Sequence, residues 1–221
     1  MTTSVKIDFV SDVSCPWCVI GLKSLETALT RVAGEVTGDI HFQPFELNPQ
    51  MDAQGEDVAE HIARKYGSSA EQLARNQEMI RSRGAELGFE FALGQRKRIY
   101  NTLDAHRLLH WAEGTGKQEA LKNALFTAYF TEGRNPSDPE VLESVATKVG
   151  LDAHRVREIL ASNEYADEVR AREQWYLDRG IHAVPAVILN ERYLIQGGQP
   201  VEVFEAALRK VAAEAGTAKS P

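Results

Sequence analysis

Ser11-Asp12-Val13-Ser14-Cys15-Pro16-Trp17-Cys18 stands where one residue pattern gives way to another. Before it, Val5, Ile7 and Phe9 alternate with Lys6 and Asp8, the period of a half-buried strand. After it, Leu22, Leu25, Leu29 and Val32 fall at spacings of three, four and three, one face of a helix from about Pro16 to Ala33. Pro16 suits a first helical turn, where its missing N–H costs nothing and its φ is already helical. Cys15 and Cys18 are the only cysteines in 221 residues, so one chain cannot build a zinc site from four cysteines, or from three and a histidine. Two thiols at this spacing can close a ring with each other or exchange with a disulfide on another molecule. A bridge over two intervening residues constrains the unfolded chain little, which argues against a purely structural staple.

The spacing also sorts the two thiols by role. Unpaired N–H groups and the dipole at a helix N-terminus favour an anion, hence a thiolate at Cys15, and the thiolate is the nucleophile of disulfide exchange. Cys18 lies a turn further in, where it can resolve a mixed disulfide. Neither intervening residue titrates. Trp17 offers a flat apolar surface beside the attacking sulfur, or packs as a partly buried core aromatic. A strand running into CxxC at a helix start reads as a thioredoxin-like redox site.

Further along, Ile40 and Phe42 predict a second strand before Pro44, which completes a strand–helix–strand unit long enough for a parallel crossover. A long helical middle follows. Ser68 and Ser69 precede Glu71 and Gln72, a capping-box pattern for a helix to about Gly88, and Phe89, Phe91 and Leu93 read as a short extended piece. Asn101 can cap a helix through Glu113 with Ala105, Leu108, Leu109 and Ala112 on its apolar face, and another helix spans Lys117 to Thr131. Asp138-Pro139 and Asp152 each open a helix, and one more runs from Tyr165 to Arg179, ended by Gly180. Ala186 to Leu189 and Tyr193 to Ile195 form a hairpin about Asn190-Glu191. Pro200 opens a last helix with Val201, Phe204, Leu208 and Val211, and disorder is expected from Gly216 to Pro221. The order predicts an α/β protein, a thioredoxin-like fold with an inserted all-helical domain. Residues 1–55 and 164–221 are the two parts of the thioredoxin-like domain and 56–163 the insertion.

Composition narrows the partners. The formal net charge of −7, with no basic stripe interleaved with aromatics, argues against nucleic acid and anionic membrane. No stretch approaches eighteen apolar residues and the N-terminus has no apolar signal core, so the expected compartment is the cytoplasm. There a cysteine pair is more often catalytic or redox-sensing than structural. Three other spots carry chemistry. Val184-Pro185 precedes an apolar strand, where a cis-proline of a thioredoxin-like fold faces the cysteine pair and its neighbouring backbone can receive an extended substrate. His106 and His110 are four apart on a helix and read as polar flank residues rather than as metal ligands; no metal site is expected. Arg96-Lys97-Arg98 reads as a solvated basic patch, or as an anion site near Asn101.

The octet ending in Cys18 resembles the opening motif of the DsbA-family oxidoreductases of the FrnE type. Asn101-Thr102-Leu103-Asp104-Ala105-His106-Arg107, Glu132-Gly133-Arg134-Asn135, Val184-Pro185 and Gly197-Gly198-Gln199-Pro200 are similar to its later signatures, so the resemblance spans essentially the whole chain. It implies thiol–disulfide exchange and relatives that are often cytoplasmic. It also implies, from the glutathione-using relatives, that Asn101 and Thr102 line the cleft. Those relatives, the kappa-class glutathione transferases and 2-hydroxychromene-2-carboxylate isomerases, usually carry serine where this chain has Cys15. Departures from the pattern are Gly197-Gly198 and Ile181-His182-Ala183, both beside the expected substrate groove.

Together these readings predict a protein disulfide oxidoreductase or isomerase. Cys15 attacks and Cys18 resolves, and Trp17, Val184, Pro185, Asn101 and Thr102 place the substrate. No tightly bound cofactor is expected beyond the redox-active disulfide itself, with glutathione as a candidate co-substrate. The expected partners are disulfide-containing proteins or small thiols. Two other readings stay open: a glutathione-dependent transferase or isomerase of a small aromatic substrate, and a non-catalytic redox sensor.

Overall fold

The structure, a computed structural model, describes residues 2–52 and 54–217, the last two of these by backbone alone. β1 (Thr3–Ser11), α1 (Pro16–Arg31) and β2 (Val36–Pro44) form the expected parallel crossover, with Ile7 opposite Ile40 and Phe9 opposite Phe42. β1 is more deeply placed than its alternation suggests. Val10 and Ser11 are buried along with Phe9, and even Asp8 is enclosed, its carboxylate accepting from Gln43 Nε2 at 2.7 Å. The reason is that layers cover both faces of the sheet.

After β2 come a two-residue strand β3 (Glu56–Asp57) and α2 (Val58–Tyr66), neither of which the hydrophobic pattern revealed. α2 had local signals all the same. Asp57 caps it, accepting from the N–H groups of Ala59 and Glu60, and Gly67 closes it in the left-handed conformation (φ 65°). α3 (Ala70–Glu86) starts with the expected capping box of Ser69 and Gln72. Phe89 and Phe91 are not in a strand. They lie in a loop with both rings buried against the core, and the strand in this region is β4 (Arg98–Ile99), antiparallel to β3.

α4 (Leu103–Glu113) buries the predicted face. The cap differs in detail: Thr102 is the N-cap with no side-chain bond, and Asn101 Oδ1 accepts from the Leu103 N–H at 2.9 Å. The single helix expected over Lys117 to Thr131 is divided. α5 (Gln118–Phe126) passes into one π-type turn, Thr127–Thr131, which widens the helix where Tyr129 and Phe130 enter the core. α6 (Pro139–Lys148) and α7 (Ala153–Leu160) carry the predicted aspartate caps, and α8 (Ala166–Leu177) follows. The hairpin β5 (Ala186–Leu189) and β6 (Tyr193–Gln196) returns to the sheet, whose order is β2-β1-β5-β6. α9 (Val201–Thr217) ends the described chain and takes in Gly216 and Thr217, the start of the stretch expected to be disordered; the rest of that expected tail lies outside the described residues.

Three apolar clusters hold these layers. α1 and α9 cover one face through Leu22, Leu25, Phe204 and Leu208 packed on Val5, Ile7, Phe9 and Val187. The other face buries Val10 and Ala186 under Tyr176 of α8. The helical insertion has its own core of Leu108, Leu121, Leu142, Val156 and Ile159. Val13, from the loop before the cysteines, belongs to that last core and so ties the site to the insertion.

Arg107 stitches the insertion internally. Nearly fully buried, it donates to the carbonyls of Glu164 (2.7 Å), Ser162 (2.6 Å) and Ile159, and pairs with Asp104 at 2.7 Å. These carbonyls lie at and beyond the end of α7, where helical partners run out. Replacing Arg107 by methionine removes the donors and leaves buried acceptors unsatisfied. Stability is expected to fall by about 3 kcal/mol; an unchanged midpoint in urea denaturation would contradict this account.

Candidate active site

Cys15 is the N-cap residue of α1, with extended backbone (φ −94°, ψ 114°), and its side chain makes no capping bond. Its thiol is held instead at the mouth of the fold by the Val184 carbonyl, 3.8 Å from Sγ. The Val184–Pro185 bond is cis, and Pro185 is buried against α1. Both cysteines are free thiols. Cys15 is 4% exposed and Cys18 not at all, so the first cysteine is the one a substrate can reach. Burial, aided by the neighbouring Cys15, pushes the Cys18 thiol well above its usual range.

Close backbone approach fixes the loop opposite the cysteines. A Cβ on Gly21 of α1 would stand 2.9 Å from Pro185 Cγ, and one on Gly198 would stand 3.0 Å from the Trp17 carbonyl. The Gly197 N–H donates to the Pro185 carbonyl at 2.8 Å. The Gly197-Gly198 pair that departs from the family pattern thus lets this strand end lie on the CPWC turn. Trp17 is half-buried there, with the Arg83 guanidinium of α3 5.7 Å from its ring centre.

Behind the turn lies a polar layer whose burial the sequence pattern did not reveal. Asp12 is fully buried and organises the loop. Its Oδ1 accepts from the Ser14 N–H (2.9 Å), its Oδ2 from the Leu47 N–H (2.7 Å), and its carbonyl from the Cys15 N–H (3.2 Å). Burial pushes the carboxyl up, but His106, with Nε2 3.7 Å from Oδ1, and the two N–H donors outweigh it and hold the group below its usual range. His106 therefore faces inward, not along a helix flank, whereas His110 packs on the Tyr165 ring, 5.3 Å between centroids. Glu46 lies close by. Its N–H donates to Glu173 Oε1 at 2.6 Å, and burial together with Glu173 raises its carboxyl to about 7.

The basic tripeptide is not uniformly solvated. Arg96 is buried between aromatic rings, 5.5 Å from the Tyr129 centroid and 5.3 Å from that of Phe130, while Arg98 donates to the Gln54 and Gly55 carbonyls. Asn101 donates to Glu46 Oε2 (3.3 Å) and lines a cavity of about 460 Å³ with Met51, Asp104 and Asp138; neither cysteine borders that cavity. Thr102 is buried. The structure thus brings Cys15, Cys18, Trp17, Val184 and Pro185 together and sets Asn101 and Thr102 in an adjoining layer. Among the described residues no group of three or more His, Cys, Asp or Glu side chains is arranged to hold a metal, and no helix is long and apolar enough to cross a membrane.

The fold has relatives. The DSBA-like thioredoxin domain family matches residues 6–209. The chain belongs to that family. Within it, a probable DsbA oxidoreductase from Streptomyces coelicolor shares 34% identity over 98% of this chain and 92% of its own, with a TM-score of 0.88. A 2-hydroxychromene-2-carboxylate isomerase shares the fold at 17% identity (97% and 100% covered, TM-score 0.69). The cytosolic disulfide reductase DsbM from Pseudomonas aeruginosa, solved with GSH, shares it at 18% (94% and 99% covered, TM-score 0.64). The DsbA-like fold with a helical insertion, expected from the element order, is what the family carries.

Two outcomes follow from this geometry. Gly21→Ala crowds Pro185, and overpacking of about 1–3 kcal/mol outweighs the roughly 1 kcal/mol helix preference of alanine; a lowered urea midpoint is expected. For Glu46, the unfolded carboxyl loses its proton near 4.5 and the folded one near 7. Its charge therefore costs nothing below pH 4.5, progressively more between 4.5 and 7, and the full amount above. Glu46→Gln should gain about 1–3 kcal/mol at pH 8 and nothing at pH 4, read from denaturation at both values.

Proposed function

We propose that this protein exchanges thiols and disulfides through Cys15 and Cys18, with a protein disulfide or a small thiol as its partner. The single observation that carries the reading is the placement of Cys15. It caps α1 with its sulfur against the Val184 carbonyl, beside a cis-proline, with a second thiol sealed one turn behind. The thiolate form of a cysteine is the nucleophile of disulfide exchange. That thiolate attacks a substrate disulfide, one substrate sulfur leaves, and the other stays joined to Cys15. Cys18 then attacks Cys15 Sγ and releases the second substrate thiol, leaving the Cys15–Cys18 disulfide, which an external thiol reduces to begin again.

His182 and Ala183 are exposed, and the N–H groups of His182, Ala183 and Val184 donate to no backbone carbonyl among the described residues. An extended substrate segment can add to this edge by backbone pairing, with Trp17 as its apolar floor. Asn101, which donates to Glu46 Oε2, and Thr102 are kept in this reading as cleft residues on the strength of the family resemblance. The 4% exposure of Cys15 favours a slender partner. Glutathione as co-substrate fits that, as does a cytoplasmic setting in which the enzyme reduces or reshuffles disulfides.

The test uses the two cysteine variants with a disulfide-bearing protein and with glutathione disulfide. Cys15→Ser is expected to lower turnover by at least about 10³-fold, and Cys18→Ser to accumulate a mixed disulfide on Cys15 visible by mass spectrometry. Full turnover by Cys15→Ser would sink the mechanism. Turnover of a small aromatic substrate with glutathione, undiminished in Cys18→Ser, would move the reading to a glutathione-dependent isomerase or transferase.

A further inference from the structure

Lys122 sits in α5 with no exposed surface and, among the described residues, no hydrogen-bond partner for its Nζ. Its position is set by the helix. Gln118, Lys122 and Phe126 follow one another at spacings of four, one stripe facing the sheet. Gln118 pins the stripe: its side chain accepts from the Phe42 N–H (2.9 Å) and donates to the Phe42 carbonyl (3.1 Å). One turn on, the lysine nitrogen lies 5.0 Å from the Phe126 ring centre and 6.0 Å from that of Phe42, rings that share a core with Cys15 and Cys18. The ionisable groups whose negative forms act on it are, strongest first, Cys18, Asp12 and Cys15, none of them hydrogen-bonded to Nζ.

The remaining elements add little. α4 contributes His106, which stands against Asp12. His41 of β2 is engaged with Asp39 and Glu113, and Glu140 and Lys148 of α6 are exposed. On α5 itself, Glu119 lies near Glu26 and Lys23, and Lys23 bonds Glu26 and Asn123.

An ammonium in this place is costly, since two aromatic faces replace only part of its hydration. Methionine would fill the same volume without that cost. We propose that Lys122 is the buried base for Cys18, taking up its thiol proton as Cys18 attacks the mixed disulfide on Cys15. This rests on the dithiol reading above and deepens it. The step balances. Cys18–SH and Lys122–NH2 become thiolate and ammonium; the thiolate forms the bond to Cys15 Sγ as the Cys15–substrate S–S bond breaks; the substrate sulfur leaves as thiolate and takes a proton from water. The ammonium returns its proton to solvent or to Cys18 when the pair is next reduced. Cys18 needs such help because burial holds its proton. Burial also lowers the lysine to about 8, so about one molecule in ten carries the neutral amine at pH 7.

The experiment preloads Cys15 with glutathione by rapid mixing with glutathione disulfide and follows its release by Cys18 from pH 6 to 10. In the wild type, release should rise tenfold per pH unit and level near pH 8. In Lys122→Met, it should be about 100-fold slower at pH 7 and still climbing past pH 9. Adduct formation on Cys15 should be the same in Cys18→Ser with and without Lys122→Met. Identical release profiles for wild type and Lys122→Met overturn the role of Lys122. So does a wild-type profile that climbs unbroken beyond pH 9, a result that needs no variant to fold. If the wild type forms neither adduct nor Cys15–Cys18 disulfide, the dithiol reading fails and takes this inference with it.

Discussion

The Asp12 carboxylate is the constraint around which the site is arranged. A charged group without exposed surface is tolerated only where donors surround it. Here the donors are the backbone of its own turn and the N–H of Leu47, which follows β2. Asp12 therefore does two things at once. It bends the chain so that Cys15 falls at the N-cap of α1, and it fastens that bend to the neighbouring strand's exit. Val13, the next residue, packs into the insertion core, so the same turn joins the sheet, the helix and the helical block. A shift in any of these elements would be felt at the sulfur.

The opposite wall is built from the absence of side chains. Gly21 and Gly198 allow Pro185 and the Trp17 backbone to approach to distances that a Cβ would not permit. The loop carrying Val184 is thereby fixed from two sides, and its carbonyl is held at the Cys15 thiol. Polar constraint on one side and close packing on the other leave the thiol little room to move. Such preorganisation is what an in-line attack of one sulfur on another requires.

How much of this the sequence carries depends on the range of the interaction. Strand period, helix period and caps are local, and β1, α1, α3, α4, α6, α7 and the β5–β6 hairpin are legible from them. Asp57 and Gly67 were local signals for α2 as well, yet the helix buries only Val58 and His61, too little apolar surface to show a period. The break at Thr127 was hidden for a different reason: the residues of the π-type turn are as apolar as the helix before it, and only packing against the sheet decides the wider turn. Cys15, Cys18 and Pro185 were recognisable because motif and order place them. Asp12, His106, Glu46 and Lys122 were not. Their significance lies in burial, and nothing in a charged residue's neighbours along the chain says that it faces inward. Lys122 shows the difficulty best, since at spacing four from Gln118 it looks like part of a polar helix face.

That buried layer also separates structure from function in this fold. Arg107 is as enclosed as Lys122, but it spends its donors on carbonyls and an aspartate and leaves none of the insertion's core strained. Lys122 and Glu46 are different: each is held away from its ordinary protonation range by the site's own packing. Both would be better replaced by apolar or neutral residues if stability alone mattered. Glu46 stands by the Asp12 turn and Lys122 by rings that share a core with the cysteines, and in the proposed exchange proton transfer accompanies every change of that pair between dithiol and disulfide. A core that excludes water from Cys18 removes the solvent bases that would otherwise take its proton. The acceptor must then be part of the core, and in the proposed step it is the amine of Lys122, whose Nζ has no hydrogen-bond partner among the described residues.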